Sequence, residues 1–139
     1  MRRFVASTLI IAALAVPVLA DVGTDREDTM KSIGGAIKAL SGIVKGTDAF
    51  DPAMVAANSD KIVTGLQKFG TLFDPGTEQA SKKASPDIWT NRAEFDAARE
   101  NAIKAAQALT ASNADNFKAA FLALGQSCKG CHEKFRLAD

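Results

Sequence analysis

The chain of 139 residues contains no tyrosine, one tryptophan, one histidine, two cysteines and four prolines. No stretch alternates apolar and polar residues, so a half-buried β-strand has nowhere to form. Charges nearly cancel, with 17 Lys and Arg against 16 Asp and Glu, which argues against general binding to nucleic acid or to an anionic membrane surface. A structural zinc site takes about four ligands, more than two cysteines and one histidine supply. Paired carboxylates, a nucleophile constellation and a phosphate-binding loop are all missing, so no enzyme is expected. The apolar run Leu9 to Val16 is short against the roughly 20 residues of a membrane span.

What the N-terminus does have is an export signal. MRRFVASTLIIAALAVPVLA places Arg2 and Arg3 before the apolar run and ends on small residues, the pattern of a signal peptide cut after Ala20. Residues 1–20 are thus expected to be removed. Residues 21–139 remain, 139 less 20 or 119 residues, enough for one domain around one core. Without Arg2 and Arg3 the basic count falls to 15 against 16 acids, a net charge of −1. The destination is the periplasm, with no membrane span after cleavage. An oxidising compartment suggests a disulfide, but one between Cys128 and Cys131 would close too small a loop to remove much entropy from the unfolded chain.

Apolar residues recur at steps of three and four, the period of a helix face. Met30, Ile33, Ile37, Leu40 and Val44 form one seam on a helix predicted from about Thr24 to Lys45, ended by Gly46. Asp51-Pro52 starts a second helix, as N-cap and first helical residue, with Val55, Ile62, Leu66 and Phe69 inward and Gly70 past its end. Thr71 to Thr90, with Pro75-Gly76 and Pro86, reads as a long crossover loop. A third helix from Arg92 to Ala111 turns Phe95, Ala98, Ala102, Ala105 and Leu109 inward. The last carries Phe117, Phe121, Leu124, Cys128, Cys131 and Phe135 on one stripe. Four seamed helices pack most simply as an all-α, antiparallel up-down-up-down four-helix bundle.

Cys128-Lys129-Gly130-Cys131-His132 is the C-x-x-C-H attachment pattern of haem c. Two thiols one helical turn apart can add across the two vinyl groups of a haem, and the histidine that follows reaches the iron from the same face. A thiol oxidoreductase pair would sit beside a strand and open a helix; this pair closes the last helix of a chain without strands. The expected cofactor is one haem c, covalently bound.

The C-terminal CKGCHEKFR, the N-terminal REDTMKSIGGAIKAL, the FDP before the second helix and the PDIW before the third together resemble the class II cytochromes c, which include cytochrome c prime. The likeness spans essentially the whole mature chain. It implies covalent attachment through Cys128 and Cys131 and an iron ligated by His132. It also implies that the first helix decides the sixth iron position. A low-spin subgroup supplies methionine from an Arg-x-x-x-Met-Lys pattern, matched by Arg26 to Lys31, and works as an electron carrier. The other branch keeps a high-spin five-coordinate iron and binds small gases such as NO or CO. Met30 on its seam is also a good core residue, so periodicity alone leaves both branches open. The electron carrier with His132 and Met30 on the iron is taken as the leading expectation, with the gas binder as the alternative; the absence of a second histidine speaks against a peroxidase.

By the same resemblance Arg26 reaches a haem propionate, Glu27 lies near that edge and Trp89 covers the haem edge. Arg136 either pairs with a propionate or offsets the helix dipole. Lys82 and Lys83 stand where relatives often carry Thr and Glu, and with Lys129 and Lys134 they suggest a basic rim for an acidic redox partner. Redox partner proteins and a homodimer are the macromolecular contacts this implies.

Overall fold

A computed structural model describes residues 16–138, with side-chain surroundings from residue 21 onward. The signal peptide expected at 1–20 lies outside the described residues apart from the helical backbone of 16–20. Four long helices make the bundle: α1 (Val16–Lys45), α2 (Pro52–Gly70), α4 (Arg92–Thr110) and α5 (Phe117–Phe135), with a four-residue helix α3 (Asp87–Thr90) ahead of α4. α1 starts at Val16 instead of near Thr24, because a hydrophobic seam marks only the packed part of a helix and the backbone ladder continues beyond it.

The local signals act as their chemistry dictates. Gly46 adopts φ +74°; its amide donates to the Ile43 carbonyl at 3.2 Å while Thr47 donates back to Gly42 at 3.0 Å. That pair of bonds satisfies the last carbonyls of α1 and needs a residue tolerant of positive φ. At the start of α2, the Asp51 carboxylate accepts from the amides of Ala53 at 2.9 Å and Met54 at 3.3 Å. α2 runs through Gly70 instead of ending before it, and Thr71 is its C-cap.

The crossover between α2 and α4 is more structured than a loop. It holds a single 3-10 turn at Glu78–Ala80 and the helix α3, both too short to leave a helical period in the sequence. Its far end is pinned to the end of α5: Ser85 donates to the Phe135 carbonyl at 3.0 Å and Leu137 to Lys83 at 2.9 Å.

α1 packs on α2, α2 on α4 and α4 on α5, whereas α1 and α5 touch only sparsely. The sheetless up-down-up-down bundle is therefore closed on three seams and held open on the fourth. Its core has two parts. One collects Ile33, Leu40, Val55, Ile62, Leu66, Leu109, Phe117 and Leu124. The other is aromatic, built on Phe73, Ile88, Phe95 and Phe135, with Phe95 edge-on to Phe135 at 5.4 Å. Of the predicted seams, Met30, Ile37, Val44, Phe69, Ala98 and Ala105 are only half-buried, while Ile103 and Ala106 prove buried on α4. No helix among the described residues is long and apolar enough to cross a membrane.

Candidate functional site

Between α1 and α5 lies a cavity of about 580 Å³. It is walled by both core clusters: Met30, Ile33 and Leu66 come from one, Phe69, Phe73, Phe95 and Phe135 from the other. Cys128, Cys131 and His132 stand along its α5 side, and Met30 stands on α1. The two cysteines are free and half-buried. Although one turn apart, Cys128 packs against the first cluster and Cys131 against the aromatic one, so the pair spans the junction of the two.

Burial sets the protonation states here. Removal from water pushes both thiols above the ordinary cysteine range, and a neighbouring Cys128 charge adds to the effect on Cys131. His132 is more exposed, but partial removal from water, reinforced by the Arg136 guanidinium, pulls it below the usual histidine value. A neutral imidazole is the form that binds a metal. Among the described residues no group of three or more His, Cys, Asp or Glu can hold a bare ion, so a metal at His132 has to bring most of its own ligands.

The donor set fits a haem. Apolar and aromatic walls suit a flat macrocycle, and a cavity of this size falls within the ~300–1,000 Å³ of cofactor sites. Two thiols and an imidazole stand on one side, and Arg26, Lys31, Lys83, Arg99 and Arg136 against a single acid, Glu27, suit carboxylate substituents.

Arg26 is only 3 % exposed, and its donors are engaged with Leu72 and Thr77. Nε and Nη2 donate to the Leu72 carbonyl at 3.0 and 2.7 Å, and Nη1 and Nη2 donate to the carbonyl and Oγ1 of Thr77 at 3.1 and 2.7 Å. Its guanidinium lies 4.3 Å from the centre of the Phe73 ring. Glu27 is on the wall but exposed, within 3.7 Å of Lys31. Trp89 stands behind the cavity's Phe73, edge-on at 5.5 Å, because its indole N–H donates to the Asp74 carbonyl at 3.2 Å. Met54 is exposed at the start of α2. Of the four lysines expected to form a basic rim, Lys129 pairs with Glu133 at 3.5 Å and Lys134 contacts Glu94, so the charges of these two are locally offset.

Away from the wall, Thr77 of the crossover holds Arg26 through its Oγ1. Two wall features went unread in the sequence. Arg99 reaches the wall; its spacing, four after Phe95 and three before Ala102, was the available signal. Gly34 lines the cavity one turn after Met30.

A model of the family described as Cytochrome C′ matches residues 21–136. Cytochrome c-556 of Agrobacterium tumefaciens (strain II Chrys) is 38 % identical over 118 residues, covering 81 % of this chain and 93 % of that protein. Cytochrome c′ of Pararhodospirillum photometricum is 38 % identical over 116 residues, covering 80 % and 92 %. Among solved structures, cytochrome c′ from Rubrivivax gelatinosus superposes with a TM-score of 0.76 at 28 % identity, over 86 % of this chain and 97 % of that one. A nitric oxide complex of a variant cytochrome c prime from Alcaligenes xylosoxidans gives 0.77 at 28 % identity, with the same coverage of 86 % and 97 %.

Proposed function

The chain belongs to the cytochrome c′ family, and from that premise we propose that it is an exported, periplasmic protein carrying one haem c, covalently held through Cys128 and Cys131 with His132 on the iron. The observation that carries this reading is the convergence of those three side chains on one largely apolar cavity. Cys128 and Cys131 would hold the haem through thioethers, each thiol adding across a vinyl double bond so that a C–S bond would form, the thiol hydrogen would pass to the adjacent vinyl carbon, and no oxidant would be consumed. The neutral His132 offers a nitrogen lone pair on the same side. A haem held there would supply a redox-active iron. Binding or electron transfer, rather than catalysis, is the role this reading gives the chain.

Small-gas binding is the favoured branch. The α1 wall facing α5 is apolar at Met30, Ile33 and Ile37, and is left bare at Gly34; a diatomic ligand needs no more than such a surface. The likeness to a cytochrome c prime solved with nitric oxide points the same way. This reverses the order expected from the sequence, which put the His132 and Met30 electron carrier first. That carrier remains the second reading, since Met30 lines the same cavity as His132 from the opposite helix and a thioether there would fill the sixth position. Redox partner proteins and a second copy of the chain are the partners these readings imply.

Protein made in a host with haem c maturation tests both. After acid-acetone extraction its mass should exceed the polypeptide by one haem; the bare polypeptide mass would refute the attachment. Carbon monoxide should then be taken up rapidly by the whole ferrous population. Failure to take it up would hand the function to the electron carrier.

A further inference from the structure

Gly34 occupies an interior position of α1, where glycine is a poorer helix former than alanine. Packing does not require it: a Cβ there would meet no neighbour within 4 Å. Gly65 on α2 differs, since a Cβ there would stand 2.7 Å from Cγ1 of Ile33. Gly35 is as open as Gly34 but turned away from the cavity wall, which Gly34 lines together with Met30 and Ile37. Side chains on a helix lean toward its N-terminus. One at position 34 would therefore lie across the turn that carries Met30.

We propose that Gly34 sets the size of the ligand admitted to the cavity beside Met30, by withholding the side chain that would cover that part of the wall. The inference rests on the reading of the cavity as a haem site with a face open to small gases. Open wall next to a flexible thioether gives Met30 room to turn aside, so the α1 side can yield to an incoming diatomic without moving the helix. A methyl group at position 34 takes up part of that room and an isopropyl group most of it. Ligand bulk is then what α1 discriminates.

The test uses haem-loaded wild type with Gly34→Ala, Gly34→Val and, as control, Gly35→Ala. Carbon monoxide and ethyl isocyanide are the probes, followed by association rate to the ferrous protein. Association should slow stepwise from wild type to Gly34→Ala to Gly34→Val. The loss should reach about ten-fold or more for the isocyanide in the valine variant, the discrimination a hydrophobic pocket gives per methyl-sized change; carbon monoxide should lose less. Gly35→Ala should match wild type. A second readout involves no ligand on iron: crystals under xenon should show an atom beside Met30 in wild type and none in Gly34→Val, because apolar voids bind xenon. Equal rates in wild type and Gly34→Val, or an equal slowing in Gly35→Ala, would overturn the role of Gly34 while leaving the gas-binding reading intact. A wild type that takes up neither probe would overturn both. Should the valine variant fail to fold, the alanine variant, in a better helix former, decides alone.

Discussion

Thr77 is bound twice by Arg26, through its carbonyl at 3.1 Å and its Oγ1 at 2.7 Å, across 51 positions of chain. The same guanidinium donates to the Leu72 carbonyl and lies over Phe73. A buried cation without a close carboxylate is ordinarily costly. Here neutral backbone acceptors and an aromatic face hold it, and burial lowers its proton affinity while Glu78 partly restores it. Arginine stays charged regardless. The clasp ties α1 to the segment leaving α2 and so closes one end of the cavity.

Arg26→Ala should destabilise the protein by about 2–3 kcal/mol, the range for hydrogen bonds from a charged group whose acceptors are then left unpaired. Thr77→Val should cost about 1 kcal/mol. Because both remove one interaction, the double variant should cost less than the two together, by at least ~0.5 kcal/mol. Denaturant midpoints of the four proteins check this; strict additivity would mean that the two residues act independently.

Gly23 on α1 is buried, and a Cβ there would stand 2.0 Å from the carbonyl oxygen of Ala80 in the 3-10 turn. Backbone cannot rotate away as a side chain can. Gly23→Ala should therefore cost about 1–3 kcal/mol, as overpacking does, while Gly35→Ala should add up to ~1 kcal/mol of stability. Thermal unfolding of the two alanine variants should move in opposite directions.

Asp51 holds the first amides of α2. Asp51→Ala should lose about 1 kcal/mol, and Asp51→Asn, whose side-chain oxygen can still cap, should keep most of it. Equal losses in the two variants would assign the effect to the charge.

Such caps were legible in the sequence because their chemistry is local: Asp51-Pro52 and Gly46 act within a few residues of themselves. So was the α5 stripe, since Leu124, Cys128, Cys131 and Phe135 are joined by one helical period. Arg26 was not. Its acceptors, two backbone carbonyls and the Thr77 hydroxyl, lie 46 and 51 positions away, and no local period joins them to it. The partner of the Trp89 indole is likewise a backbone carbonyl, that of Asp74. Of the inward face read for α4, Phe95, Ala102 and Leu109 are buried and Ala98 and Ala105 half-buried, while Ile103 and Ala106 are buried as well; α4 packs on both α2 and α5, and two contact faces blur a single period.

Met30 separates the two functional branches. It is half-buried, packed against the first core cluster and exposed to the cavity on the side opposite Cys128 and His132. On the favoured reading its thioether is wall and not ligand. Ferric wild type should then be high-spin, and Met30→Ala should leave that spectrum nearly unchanged while carbon monoxide binds faster through the enlarged space. The stability loss should be about 2 kcal/mol or less, the low end for methionine truncation, because the side chain is only partly enclosed. On the second reading, wild type is low-spin with the weak far-red band of a thioether on iron. Met30→Ala would then abolish the band, convert the iron to high spin and lower the reduction potential, since a methionine ligand raises it. Either spectrum is compatible with the bundle, since the haem attachment proposed above would run through Cys128 and Cys131 on α5. A low-spin wild type that turns high-spin in Met30→Ala would overturn the gas-binding assignment and make the chain an electron carrier.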